Sequence, residues 1–465
     1  MSFWLLQHDQ GRPALIDETS GNRFSYGELA ACVQQFARQW PSSEGKKLGF
    51  ILCRNEWEPI VAYLASLQAG HAVSLLSDSI HPDLLQVLLE QYKPDWIFAP
   101  NEIGLDATYE RANLSERYTM WNRLSSEQSK TGIHEQLAVL LSTSGTTGSP
   151  KLVRLSHRNI QANAESIAQY LGLTPLERPI TTLPMQYSYG LSVINSHLQA
   201  GATLLLTNHS VTNKQFWDFF RAHEATSLAG VPFIYQLFER LRLQNLDLPS
   251  LRTLTQAGGR LDTRLVKHFH QLAREKQWRF FVMYGQTEAT ARMSYVPYEQ
   301  LDGKEDSIGM AIPQGKLSID EATGELIYHG PNVMMGYANN RDDLQKADEL
   351  HGVLHTGDLA KQDADGYFYI TGRLKRFIKL FGLRINLDEV ERALESTVPV
   401  QVVCVGNDQK LVIVLEDEQY SQQVKQAAIE MFQLHASGIQ VQVVPSIIRT
   451  PAGKVDYPKM AERVM

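Results

Sequence analysis

The chain has 465 residues, 43% hydrophobic and 20% charged, a composition typical of a globular protein and long enough for more than one core. A formal net charge of −7 argues against non-specific nucleic-acid binding. The three scattered cysteines, Cys32, Cys53 and Cys404, show no metal-ligand spacing and suit a reducing compartment. The N-terminal MSFWLLQHDQ carries no basic n-region, and its apolar run is too short to cross a bilayer, so a cytoplasmic protein without a membrane span is expected.

Residues 25–40 read as an amphipathic helix. Ser25 and Glu28 stand at capping-box spacing, and Leu29, Val33 and Phe36 share one face. From Gly45 the pattern runs strand (KKLGFILC), helix (EPIVAYLASLQAG), strand (HAVSLLS), helix (HPDLLQVLLEQY), strand (DWIFA). Apolar strands alternating with helices of this length predict a parallel, helix-covered sheet. The alternation resumes after Gln136 with AVLLS, ATLLLT and RFFVMYG, and ends near Gly285. After about residue 308, KLSID, GELIYHG and GYFYITGR are separated by Gly, Asp and Asn, which predicts antiparallel sheet and turns. A last compact unit begins near Lys375, with helices expected near 386–396 and 421–435 and strands near 400–415 and 440–444. The expected fold is a large α/β body followed by a small α+β domain.

The strongest local signal is Leu141-Ser-Thr-Ser-Gly-Thr-Thr-Gly-Ser-Pro-Lys151. It follows a buried-strand pattern and precedes a helix that Ser156 would cap. Gly145 and Gly148 allow close backbone approach to a polyphosphate, and Ser142, Thr143, Ser144, Thr146 and Thr147 supply hydroxyls. Lys151 adds a positive charge. No GxxxxGK[ST] sequence occurs anywhere in the chain, which disfavours a P-loop NTPase.

That loop resembles the signature loop of the adenylate-forming superfamily, which includes acyl-CoA synthetases, aryl-CoA ligases, peptide-synthetase adenylation domains and luciferases. Further segments match its motifs in order: Leu183–Gly190, Tyr284-Gly-Gln-Thr-Glu288, Gly324–Tyr337, His355-Thr-Gly-Asp358, Gly372-Arg-Leu-Lys375 and Pro451-Ala-Gly-Lys454. The resemblance covers essentially the whole chain. It implies Mg-ATP-dependent activation of a carboxylic acid as acyl-AMP, then transfer to a thiol, either CoA or the phosphopantetheine of an acyl or peptidyl carrier protein. Transfer to a non-thiol acceptor, or a non-catalytic regulatory relative, are the alternatives.

By the same resemblance Thr287 bonds the α-phosphate, Glu288 orients Mg²⁺, and Tyr284 and Gly259 border the adenine. Asp358 and Arg373 serve the ribose or phosphates, and Lys454 bridges the acid and the α-phosphate. Lys375 is the hinge, dividing an adenylation domain, 1–373, from a mobile lid, 374–465. The acyl pocket falls to Tyr187, Ser188, Val231, Gly258 and Met283. Lys375, Arg376, Lys379 and Arg384 form a basic cluster that could meet a CoA phosphate or an acidic carrier helix, or simply be a solvated face. The sequence departs from the family pattern at Leu152, where Gly is usual, at Tyr187, where many CoA ligases carry His, and at Arg376 and Leu387. No Asp or Glu lies between Leu183 and Ala200 to pair with a substrate ammonium. An uncharged fatty, short-chain or aromatic acid is therefore expected rather than an α-amino acid.

Overall fold

The computed structural model describes residues 2–38, 40, 45–124, 132–142, 151–374, 376–380, 383–407, 409–432, 434–450 and 453–465. The chain packs as two compact units. The first comprises Met1–Glu305, Gly309–Lys316 and His329–Leu354; the second comprises Asp306–Ile308, Leu317–Tyr328 and His355–Met465. This division follows packing, whereas 373/374 divides the chain by motion about a hinge and stands as a proposal.

The first unit is built on an eight-stranded sheet in the order Gly336–Ala338, Leu152–Ser156, Leu137–Ser142, Ala72–Ser77, Leu48–Cys53, Trp96–Pro100, Tyr118–Arg123, Tyr109–Leu114. Its four central strands are parallel and almost wholly buried, which is why they read as continuous apolar runs. The strands expected to be parallel are so, and antiparallel strands extend the sheet on both flanks. The Leu152–Ser156 strand carries Arg154, fully buried, whose guanidinium meets Glu349 at 2.5 Å and the carbonyls of Met335 and Tyr337 at 2.9 and 3.2 Å. A buried charge in so short a run masks its strand pattern.

A second sheet takes the parallel strands Ser227–Gly230, Thr253–Gln256 and Arg279–Tyr284, then antiparallel Ser294–Val296 and Met310–Ala311. A three-stranded sheet joins Leu204–Leu206, Pro13–Asp17 and Arg23–Ser25. Between helices and sheet lie Leu15, Ile51, Val73, Val139, Leu155, Ile160 and Ile194, all but fully buried. Each such side chain contributes roughly 1.5–3 kcal/mol by leaving water.

Local chemistry starts the helices where the sequence predicts. Tyr26–Ala37 begins with a reciprocal capping box between Ser25 and Glu28. His157–Tyr170 begins with another between Ser156 and Asn159.

A four-stranded sheet, Lys316–Ile319, Glu325–His329, Val353–Gln362 and Phe368–Arg373, falls mostly in the second unit. A hairpin (Phe377–Leu380 with Leu383–Asn386), the helices Leu387–Glu395 and Ser421–Phe432, and a three-stranded sheet follow. That sheet consists of Val403–Asn407, Lys410–Leu415 and Ile439–Val443. Val390, Leu394, Cys404, Ile413 and Val424 form its core. Arg376 does not join a solvated basic face. Its guanidinium lies over the Tyr457 ring at 3.6 Å and pairs with Asp388 and, at 2.9 Å, with Glu391. The Arg376 charge is thus neutralised internally.

Candidate active site

The strands on either side of the phosphate-type loop form a hairpin. Leu137–Ser142 and Leu152–Ser156 are antiparallel, and Ser142 faces Leu152 across their open end. Thr143, Ser144, Gly145, Thr146, Thr147 and Gly148 lie outside the described residues. Lys151 stands at the stem with its Nζ 3.3 Å from the centre of the Tyr337 ring. Tyr337 is delivered by Gly336–Ala338, which pairs with the hairpin's second strand opposite Val153. The Tyr337 phenol donates to Glu288 Oε1 at 2.9 Å, and the Met334 N–H donates to the Glu288 carbonyl at 2.8 Å. Burial, reinforced by the Glu288 carboxylate, pushes the Tyr337 hydroxyl pKa up and keeps it protonated as a donor. Three segments far apart in sequence therefore place a lysine, a phenol and a carboxylate in one row.

Among the described residues no cluster of three His, Cys, Asp or Glu side chains could hold a metal by itself. A half-buried carboxylate beside a phosphate-type loop fits Mg²⁺, which usually takes one or two carboxylates and completes its shell with phosphate oxygens and water.

Glu288 sits on a tight turn after the Arg279–Tyr284 strand. A side chain at Gly285 would place Cβ 1.7 Å from the Ala291 carbonyl oxygen, so the turn closes only around glycine. Thr290 and Ala291 both take positive φ, 58° and 108°. Such backbone persists where its surroundings hold it. Here Thr290 Oγ1 donates to the Asn332 carbonyl at 2.7 Å, and Asn332 Nδ2 donates to the carbonyls of Ala289 and Arg292 at 2.8 and 2.9 Å. Asn163 Nδ2 also donates to the Arg292 carbonyl, at 3.1 Å. Tyr284 ends the strand, its hydroxyl accepting from Gln286 Nε2 at 3.2 Å.

The hydroxyls of Thr287 and Ser188 are 3.1 Å apart. Ser188 opens the helix Ser188–Gln199, so this bond joins the turn to the expected acyl wall. Tyr187, Val231 and Gly258 converge there: a Cβ at Gly258, φ +84°, would lie 2.5 Å from Tyr187 Oη and 3.0 Å from Val231 Cγ1. Gly259 beside it is exposed. Burial raises the Tyr187 phenol above its usual pKa, so it stays neutral. Met283 lies in the same apolar cluster as Tyr187 and Val231.

The sequence reading missed Arg292. It is 1% exposed, its Nη1 lies 2.6 Å from Met283 Sδ and 3.4 Å from Tyr170 Oη, and its Nη2 donates to Ser192 Oγ at 3.2 Å. The guanidinium carbon is 4.1 Å from the centre of the Tyr189 ring. The available signal was an arginine flanked by Ala291 and Met293 at the entry to an apolar strand, just past the YGQTE motif.

Asp358, Arg373 and Lys454 belong to the second unit, whereas Lys151, Thr287 and Glu288 belong to the first. Asp358, 6% exposed, faces Arg373 across antiparallel strands with an ion pair of 3.3 Å. Lys454 follows Gly453 (φ +76°) in a turn where the Thr450 N–H donates to the Lys454 carbonyl at 2.7 Å. Lys375 lies outside the described residues.

A family model described as AMP-binding enzyme matches residues 4–338. The chain belongs to that family. It is 27% identical over 82% of its length to 4-coumarate–CoA ligase-like 9 of Arabidopsis thaliana, covering 73% of that protein. It is 28% identical over 82% of its length to sulfoacetate–CoA ligase of Cupriavidus necator, covering 79%. O-succinylbenzoate coenzyme A synthetase of Bacillus subtilis, solved with AMP, superposes with a TM-score of 0.77 at 25% identity, over 99% of this chain and 98% of that one. As a member of this family, the chain is an AMP-forming, ATP-dependent acid–thiol ligase. Among the described residues no helix is long and apolar enough to cross a membrane.

Proposed function

We propose that this enzyme activates a fatty or aryl carboxylic acid lacking an α-ammonium as its acyl-AMP, releases pyrophosphate, and then passes the acyl group to CoA or to the phosphopantetheine arm of a carrier protein in the cytoplasm. The observation that carries this reading is the 3.1 Å contact between Ser188 and Thr287. It supports an arrangement in which an acid held beside Ser188 and an α-phosphate held at the turn bearing Glu288 would meet.

Attack of a carboxylate on the α-phosphorus brings two anions together, so positioned donors and cations supply most of the acceleration. Thr287 donates its hydroxyl to the α-phosphate. Lys151 adds charge at the stem of the phosphate loop, and Thr143, Ser144, Gly145, Thr146, Thr147 and Gly148 cradle the polyphosphate. Glu288, oriented by Tyr337, would hold Mg²⁺, which screens phosphate charge when bound. Asp358 accepts from ribose hydroxyls with Arg373 alongside, and Tyr284 with Gly259 borders the base. Lys454 bridges the two reacting anions, and rotation about Lys375 removes it for thiol transfer. The absence of any acidic residue from Leu183 to Ala200 supports an acid without an ammonium.

Carboxylate-dependent ATP–pyrophosphate exchange tests the reading. Exchange with fatty or aryl acids, followed by thioester formation on adding CoA or a phosphopantetheinylated carrier, is the expected result. Absence of exchange with every acid, from protein that still binds ATP, would refute it.

A further inference from the structure

Arginine stays protonated in proteins, and a buried guanidinium normally faces a carboxylate or another anion. Arg292 faces none. Its described partners are a thioether, two hydroxyls and an aromatic face, all neutral, and Nε is buried without a hydrogen-bond partner. It lines a cavity with Ser196, His197, Thr255 and Glu177. Glu177 does not serve as its counter-ion, being tied to the Thr226 hydroxyl at 2.8 Å and lying 3.8 Å from Arg279. His197 donates from Nδ1 to the Val193 carbonyl, and burial keeps its ring neutral. The position is also costly to build: two consecutive left-handed residues precede it, and the buried Asn163 and Asn332 clamp its carbonyl.

We infer that the acid this enzyme activates carries a second anionic group, such as a distal carboxylate or sulfonate, and that Arg292 with Ser192 receives it. The inference rests on the adenylation reading and specifies its substrate. The helix Ser188–Gln199 sets the spacing. Ser188 meets Thr287 and Ser192 meets Arg292, one turn apart on the same face, roughly 6 Å along the axis. That span suits a diacid of about five or six carbons, or a benzoate with its second acid group across the ring. The absence of acidic residues from Leu183 to Ala200 leaves no carboxylate on this helix to repel that anion.

The experiment is ATP–pyrophosphate exchange by the full-length enzyme with glutarate, adipate and terephthalate, each beside its monomethyl ester, and with hexanoate and benzoate. The expected result is a wild-type kcat/KM for at least one diacid about 10²-fold above its half-ester, because the ester leaves the guanidinium unpaired. Arg292→Met should shrink that ratio towards one, mainly through KM, and Arg292→Lys should restore part of it. Half-esters or monocarboxylates outrunning every diacid in the wild type would overturn the inference while leaving adenylation intact. An unchanged diacid-to-ester ratio in Arg292→Met would overturn it too, reducing Arg292 to a packing role. Failure of exchange with all the acids, from protein that binds ATP, would strike down the adenylation reading and this inference with it.

Discussion

The phenol of Tyr337 donates a 2.9 Å hydrogen bond to the carboxylate of Glu288, which fixes one oxygen of that carboxylate. Glu288→Gln keeps the shape and removes the charge proposed to hold Mg²⁺. It should lower ATP–pyrophosphate exchange on the order of 10²-fold. Tyr337→Phe leaves the charge and frees its orientation, so a loss of about tenfold is expected, expressed as a higher Mg-ATP requirement. Titrating Mg²⁺ at fixed ATP separates the two. Equal losses, insensitive to Mg²⁺, would mean that the tyrosine only supports the fold.

Lys454 makes a different kind of claim, because it lies in the second unit and its role follows from resemblance. Lys454→Ala should cut acyl-AMP formation on the order of 10²-fold and spare thioester formation from supplied acyl-AMP. Single-turnover measurement of both half-reactions decides it. Parallel loss in both would remove Lys454 from the adenylation step.

What the sequence made legible follows from periodicity and local chemistry. The Ser25–Glu28 capping box, the Ser156 cap and the buried strands Leu48–Cys53 and Ala72–Ser77 were readable because each signal lies within a few adjacent residues. The Leu152–Ser156 strand was not, since Arg154 is buried there only through Glu349 and carbonyls far along the chain. The same holds for the site. Thr287, Glu288 and Lys151 sit in motifs, but the row linking Lys151 to Glu288 passes through Tyr337, and only the pairing of Gly336–Ala338 with the hairpin supplies it. Arg292 and Arg376 carry the same charge in the sequence. Arg292 is buried with no anion against it among the described residues, and Arg376 pairs with two carboxylates; these are tertiary facts that tell them apart.

Gly258 offers a steric test of the acyl wall. Its φ of +84° disfavours any side chain, and a Cβ there would press to 2.5 Å from Tyr187 Oη. Gly258→Ala should therefore cost about 1–2 kcal/mol of stability and raise KM for the acid by roughly tenfold. Adding Tyr187→Phe removes the colliding oxygen and should recover much of the KM without recovering the backbone cost. A double variant no better in KM than the single one would show that Tyr187 does not border the bound acid.

The acid limb of stability should report His197. Burial is the main cause of a pKa lowered from 6.5 to about 4, with the nearby Arg292 charge acting in the same direction and the bond to the Val193 carbonyl opposing it. The folded chain holds this ring neutral where the unfolded chain would protonate it, so between pH 6.5 and about 4 unfolding takes up a proton. Stability from this group is therefore fully present above pH 6.5 and falls as the pH drops towards 4, by roughly 3 kcal/mol in all. His197→Gln cannot titrate, so its denaturation midpoint should fall less than that of the wild type between pH 7 and pH 4.5. Because Arg292 helps to depress the pKa, Arg292→Met should raise it and shift the wild-type acid limb to higher stability in the same window. Superimposable acid limbs for all three proteins would mean that His197 is protonated in the fold as readily as in the unfolded chain, which a buried ring beside an unpaired guanidinium does not permit.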